Sequence, residues 1–235
     1  SPIQAIKAVK NDVERLRFRD SLMRDSAALI EFIAELEDGV NNGETWTEIS
    51  ASDRVGEIRS TYEYNRGISF YPISAVGANA AIIHYRPAPE TDKQITADEV
   101  YLLDSGGQYL DGTTDTTRTF HFGTPTAEEI DAYTRVMIGS IDYASMVWPN
   151  GGGGLDSHAR APLWEVGLDY NHGTSHGIGY FLAVHESTGT YREGHFISDE
   201  PGYYEEGSFG IRLETIVSVE VADTPNNFNN MDYLT

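Results

Sequence analysis

The chain has 235 residues, enough for one domain with a substantial core, and 40% hydrophobic residues with 23 Gly and 9 Pro is a globular composition. Sixteen Lys and Arg stand against 37 Asp and Glu, a formal charge of −21, which argues strongly against nucleic acid and an anionic membrane surface as partners. There is no cysteine, so disulfides and thiolate metal sites are excluded. No apolar run reaches the roughly 18 residues of a membrane span and no basic start leads into an apolar stretch, so a cytoplasmic chain is expected.

In chain order, Asn11 and Glu14 have capping-box spacing ahead of a helix running to Gly39, with Leu22, Leu29, Ile33 and Leu36 on its inner face. Ser50 and Asp53 are expected to cap a shorter helix carrying Val55 and Ile58. Gly67 to Ser74 and Ala80 to Tyr85 read as strands around a turn at Gly77 to Asn79. The stretch YLLDSGGQYLDGTTDTTRTFHF, Tyr101 to Phe122, reads as a buried strand ended by Asp104, a turn at Asp111-Gly112, and a period-two strand.

Thr126 and Glu129 start a helix whose apolar face is read as Ile130, Tyr133, Met137, Ile141, Ala144 and Trp148. Asp156 to Trp164 forms another, with Pro162 weakening its first turns. Short strands follow to Val221, among them an apolar strand Ile211 to Val219. Asp223 to Thr235 is Asn-rich and expected to be loosely ordered. The order suits an α/β or α+β domain with helices backing a mostly antiparallel sheet.

The chemistry lies in five segments. Asp104 and Asp115 sit on neighbouring extended segments, where two acids repel unless they face apart or share a cation. HGTSHGIG places His172 and His176 four apart, but its glycines argue against a helical zinc motif and for close backbone approach to a site. Glu200 ends a strand before Pro-Gly, and Glu214 lies in an apolar strand, costly unless paired or coordinated. Arg212 is too near Glu214 in sequence to neutralise it directly but can orient it. Asp104, Asp115, Glu200 and Glu214 together carry four negative charges, and His176 adds an imidazole. Two divalent cations would balance them, and an oxygen-rich donor set without sulfur suits Mn or Co, with Zn or Fe possible. His121 reads as a strand polar or a packed core histidine, His158 and His195 as surface residues, and Tyr203 and Tyr204 as aromatic filling ahead of the alternative that they line the pocket.

The segments DSGGQYLDGTTDTTRTFHFG, HGTSHGIG, SDEPGYY and FGIRLE, in this order, closely resemble the catalytic domain of the aminopeptidase P family, the Xaa-Pro aminopeptidases among the pita-bread metallopeptidases. SPIQAIKAVKNDVE and GANAAIIHY extend the resemblance from Ser1 to about Val219. It implies a pita-bread fold of two pseudo-symmetric halves, with residues 1–221 as catalytic domain and 222–235 as tail. It also implies a dinuclear site, usually of Mn, with ligands at Asp104, Asp115, His176, Glu200 and Glu214. His84, His172 and His185 would surround the substrate, Arg212 would support the site, and Glu200 would relay a proton. The implied activity is release of the N-terminal residue from peptides with proline second, through attack by a hydroxide held between the metals, with a homodimer as a possible assembly. A prolidase-like dipeptidase or a non-catalytic peptide-binding scaffold would share these motifs. Two local departures stand out: His185-Glu186 is followed by Ser-Thr in place of the family's usual Gly-Pro, and the Gly151 to Gly154 loop looks shortened.

Overall fold

The computed structural model describes residues 2–235, so the expected domain start at Ser1 lies outside the described residues. Among the described residues, five α-helices stand with short strands whose pairings are all antiparallel. α1 (Pro2–Ala8) places Pro2 first, where a missing N–H costs nothing. α2 (Asp12–Asn41) opens on the expected capping box: Asn11 Oδ1 accepts from the Val13 and Glu14 N–H groups, and the Glu14 carboxylate accepts from the Asn11 N–H. α3 (Glu48–Thr61) starts earlier than expected, capped by Thr47 with Ser50. Leu29, Phe32 and Leu36 of α2 and Val55 and Ile58 of α3 pack on Val76, Tyr101 and Leu103. Those last three belong to a sheet in which Tyr101–Ser105 lies between Ile73–Val76 and Thr116–Phe120.

The C-terminal half repeats the scheme. α4 (Ala127–Ala144) and α5 (Asp156–Trp164) cover the strands through Ala132, Val136 and Leu163, packed with Tyr203, Phe209, Ile211 and Leu213. The inner face of α4 is not the one expected. Ala132, Val136, Gly139 and Tyr143 are buried, whereas Ile130, Met137 and Ile141 are 41 to 57% exposed. Close approach decided this: a Cβ on Gly139 would meet the Ala159 carbonyl at 2.2 Å, so small residues, not the largest apolar ones, define the contact with α5.

Three further segments differ from expectation. Ala80 to Tyr85 is not a strand: Gly77–Ala81 is a 3₁₀ turn, started by Gly77 at φ +55° and packed so closely that a Cβ on Gly210 would lie 1.9 Å from the Ala80 carbonyl. Trp148 leaves α4 and joins Pro149 in a short strand. The Asn-rich tail ends in order, because Tyr233–Leu234 pairs with both Trp148–Pro149 and Val221–Ala222.

The expected strand Ile211 to Val219 is two strands. Phe196–Asp199 pairs with Thr215–Ser218, and Gly202–Glu205 pairs with Phe209–Arg212. The break between the pairs falls at Glu200-Pro201 on one arm and Leu213-Glu214 on the other. Pro201 has no N–H to give a ladder, which favours the interruption there. The two arms thus stop pairing at the same level, and both acids emerge at the break.

Candidate metal centre

Three segments converge on that break. Asp104 ends the buried strand Tyr101–Ser105 opposite Thr117, and Asp115 lies just before Thr116–Phe120. The Glu214 N–H donates to the Thr117 carbonyl (3.1 Å), which locks the break to this sheet. The loop bearing His176 is held as an extra rung: the Ser198 N–H donates to the His176 carbonyl (2.8 Å), and Gly177 bridges both Ile197 and Glu186.

Asp115, His176 and Glu214 each present a donor atom, all within 4.8 Å of one another. His176 Nε2 lies 3.3 Å from Glu200 Oε1 and 3.5 Å from Asp115 Oδ2. Its Nδ1 lies 2.9 Å from the Gly177 carbonyl, an acceptor only, so the ring proton is assigned to Nδ1. That leaves the Nε2 lone pair aimed at carboxylate oxygens, an arrangement that a cation between them, proton or metal ion, would satisfy. Asp104 Oδ2 accepts from Arg212 Nη2 (2.7 Å), while its Oδ1 is buried without a partner. Four acids share one guanidinium here, and the donors are oxygen and nitrogen. The residues fit a pair of hard to borderline divalent ions.

Electrostatics agree. Burial, then the neighbouring acids, push the Asp115 and Glu214 carboxyls well above the carboxylate range. Burial raises Glu200 as well, against the opposing pull of His176 and Arg212. For Arg212 burial would lower the pKa, but Tyr204, Asp104 and Glu214 outweigh it and hold the guanidinium charged. Burial lowers His172 to about 4 and also depresses His185, so both imidazoles are neutral near pH 7.

All eight residues singled out from the sequence, together with Arg212, line one cavity of about 330 Å³. His84 and His185 are exposed on its walls, and the His185 ring centroid is 4.1 Å from that of His176. His172 is engaged within the protein, Nδ1 with the Gly173 carbonyl (2.8 Å) and Nε2 with the Tyr204 hydroxyl (2.8 Å). The same hydroxyl accepts from Arg212 Nη1 (2.8 Å), so Tyr204 joins His172 to Arg212 and is not mere filling. Arg212 reaches Glu214 through Thr117: its Nε donates to Thr117 Oγ1 (3.1 Å), and that hydroxyl donates to Glu214 Oε2 (2.7 Å). Sequence reasoning missed Tyr204 and Thr117; the period-two pattern around Thr117 was the one available signal. His158 is exposed as expected, but His195 is 1% exposed, inside the fold and away from this cavity.

Comparison with known proteins places this geometry. Residues 17–220 match metallopeptidase family M24. A probable Xaa-Pro aminopeptidase P of Laccaria bicolor is 49% identical over 247 residues, covering 100% of this chain and 38% of the relative. Xaa-Pro aminopeptidase 2 of Sus scrofa is 49% identical over 233 residues, covering 95% of this chain and 34% of that protein. The X-prolyl aminopeptidase of Caenorhabditis elegans, described as a cytosolic enzyme with a dinuclear active site, superposes with a TM-score of 0.95 at 39% identity. It covers 100% of this chain and 40% of its own. The chain therefore spans about two fifths or less of the length of these relatives.

Proposed function

The chain belongs to metallopeptidase family M24, and from that premise we propose that it is the catalytic part of an Xaa-Pro aminopeptidase using two divalent ions, in first place Mn. The observation that carries the reading is the convergence of Asp104, Asp115, His176, Glu200 and Glu214 with His84 and His185 on one cavity. The five ligand positions would hold the ions, which when bound would activate a water and polarise the scissile carbonyl.

The remaining roles belong to the chain itself. The excess of carboxylates attracts the free α-amine of a peptide. The neutral imidazole of His185 and the ring of His84, both on the cavity wall, present polar edges to the carbonyl as it gains negative charge. Glu200, kept basic by burial but held by the Ser198 hydroxyl (3.0 Å), is placed to relay a proton to the departing nitrogen. His172 acts through Tyr204 on Arg212, fixing the guanidinium that holds Asp104. Peptides with N-terminal Xaa-Pro as substrates, a homodimer as assembly and a cytoplasmic location belong to the same reading. The nematode neighbour is described as cytosolic, and no helix among the described residues is long and apolar enough to cross a membrane.

The test is bound Mn and release of the N-terminal residue from an Xaa-Pro-Xaa peptide, measured on one preparation, with an Xaa-Pro dipeptide alongside. Two equivalents of metal with turnover of the longer peptide are expected, and Asp115→Ala or His176→Ala should abolish both. Turnover of the dipeptide alone would make it a prolidase-like enzyme. Neither metal nor turnover would leave a scaffold of the same shape.

A further inference from the structure

At the mouth of the cavity, the Arg86 guanidinium carbon stands 5.0 Å from the centroid of the Tyr71 ring. Both residues line the site cavity and also an adjoining cleft of about 220 Å³. Stacking fixes the plane of the guanidinium and leaves its N–H edge free. Among the described residues, it has no hydrogen bond or ion pair; even Asp53, which lines the same cleft, does not reach it. The other arginine on the cavity wall, Arg212, is consumed by Asp104, Tyr204 and Thr117, and no lysine lines the cavity. We propose that Arg86 binds the free C-terminal carboxylate of short peptide substrates and so sets a preference for them.

This rests on the peptidase reading and names its substrate class more closely. The cavity floor carries four acids that draw in an amine and repel a carboxylate. A cation at the lip gives the site the opposite pole, matching a short zwitterionic peptide. Reach fits as well. Arg86 follows His84 by two residues, so their Cα atoms are at most about 7 Å apart, the advance of two residues of extended peptide. If His84 faces the scissile bond, the carboxylate two residues beyond the cut in a tripeptide falls beside the guanidinium.

The experiment compares Ala-Pro-Ala with Ala-Pro-Ala amide on the protein and on Arg86→Ala and Arg86→Lys. Turnover is measured with Mn, and binding by calorimetry without metal. The acid should show a KM and a Kd about tenfold lower than the amide in the parent protein. Arg86→Ala should erase that gap by weakening the acid alone, with kcat nearly unchanged, and Arg86→Lys should restore part of it. An equal response to acid and amide in the parent, or a gap that survives Arg86→Ala, overturns the inference even if turnover is normal. A gap in binding that depends on Arg86, without any turnover, supports it and sinks the peptidase reading instead.

Discussion

Tyr204 carries more than its bulk. Its hydroxyl accepts from Arg212 Nη1 and faces His172 Nε2, and burial raises its pKa to about 12, so it stays a donor through the working range. Tyr204→Phe would strand two buried polar groups at about 1–3 kcal/mol each. Because they flank the proposed ligands and are not among them, kcat should fall by about tenfold or more while Mn content stays at the parent level. Lost metal with unchanged residual kcat per bound ion would contradict that placement. The convergence of four acids and His176 was legible because acids in or at the ends of apolar segments, and a histidine among glycines, have no cheap structural use. Tyr204 was not, since a Tyr pair after Pro-Gly also fills a strand face, and only the fold reveals that its hydroxyl meets Arg212. His195 was misread for a related reason: a Gly before it and charges around it suggest surface, yet it precedes the buried strand Phe196–Asp199. Burial lowers it to about 4, with Lys10 and Arg192 adding to the effect. The unfolded chain therefore takes up a proton near pH 6.5 that the folded one refuses, so His195 costs the native state little above that pH and opposes it increasingly as pH falls toward 4. Urea unfolding at pH 7 and pH 5 should show a loss of at most about 2 kcal/mol from this group, and His195→Asn should flatten the slope whatever it does to stability at pH 7.

Elements are placed by a few buried anchors. Glu48, the first residue of α3, is 0% exposed, and its carboxylate accepts from the Val76 N–H (2.7 Å), Asn79 Nδ2 (2.9 Å), the Tyr85 hydroxyl (2.7 Å) and the Lys93 N–H (3.1 Å). This one group ties α3 to the strand Ile73–Val76, to the 3₁₀ turn and to Tyr85, whose neighbour His84 faces the cavity. It also explains why α3 starts at Glu48 and why Ala80 to Tyr85, despite its β-branched residues, does not form a strand: Asn79 ahead of the segment and Tyr85 at its end are both aimed inward at one carboxylate. Propensity could not show this, because the partners are 28 to 45 positions away. Glu48→Ala leaves several buried donors unpaired and should cost about 3 kcal/mol or more in denaturant unfolding. Glu48→Gln, which keeps two acceptor lone pairs, should cost less, and in both variants turnover should drop with Mn content intact as the His84 segment loosens. A change below about 0.5 kcal/mol for Glu48→Ala would mean the anchor does not hold these elements. The same limit on propensity applies to α4, where the packing of Gly139 on α5 outweighed the larger exposed isoleucines.

For the whole molecule, the pairing of two halves creates a problem of charge that bound cations, or protons on the acids, relieve. The centre is built where the N-terminal sheet, carrying Asp104 and Asp115, meets the break in the C-terminal strands, carrying Glu200 and Glu214. Each half alone places two acids; docking them brings four together, with Arg212 as the single balancing charge in a chain already at −21. Mutual repulsion across this junction opposes the association of the halves, and divalent ions would reverse its sign by binding only where both halves contribute. Since the ions bind the folded chain and not the unfolded one, stabilisation follows mass action, about 2.7 kcal/mol at a free concentration a hundred times Kd. For a domain of this size that corresponds to a rise in Tm of about 5–10 °C. Mn should therefore raise the melting temperature and chelator should lower it. Asp115→Ala, which removes a ligand and also a repelling charge, should melt higher than the parent in chelator yet gain little from Mn. Equal melting of the parent with Mn and with chelator would show that the four acids do not share ions across the junction.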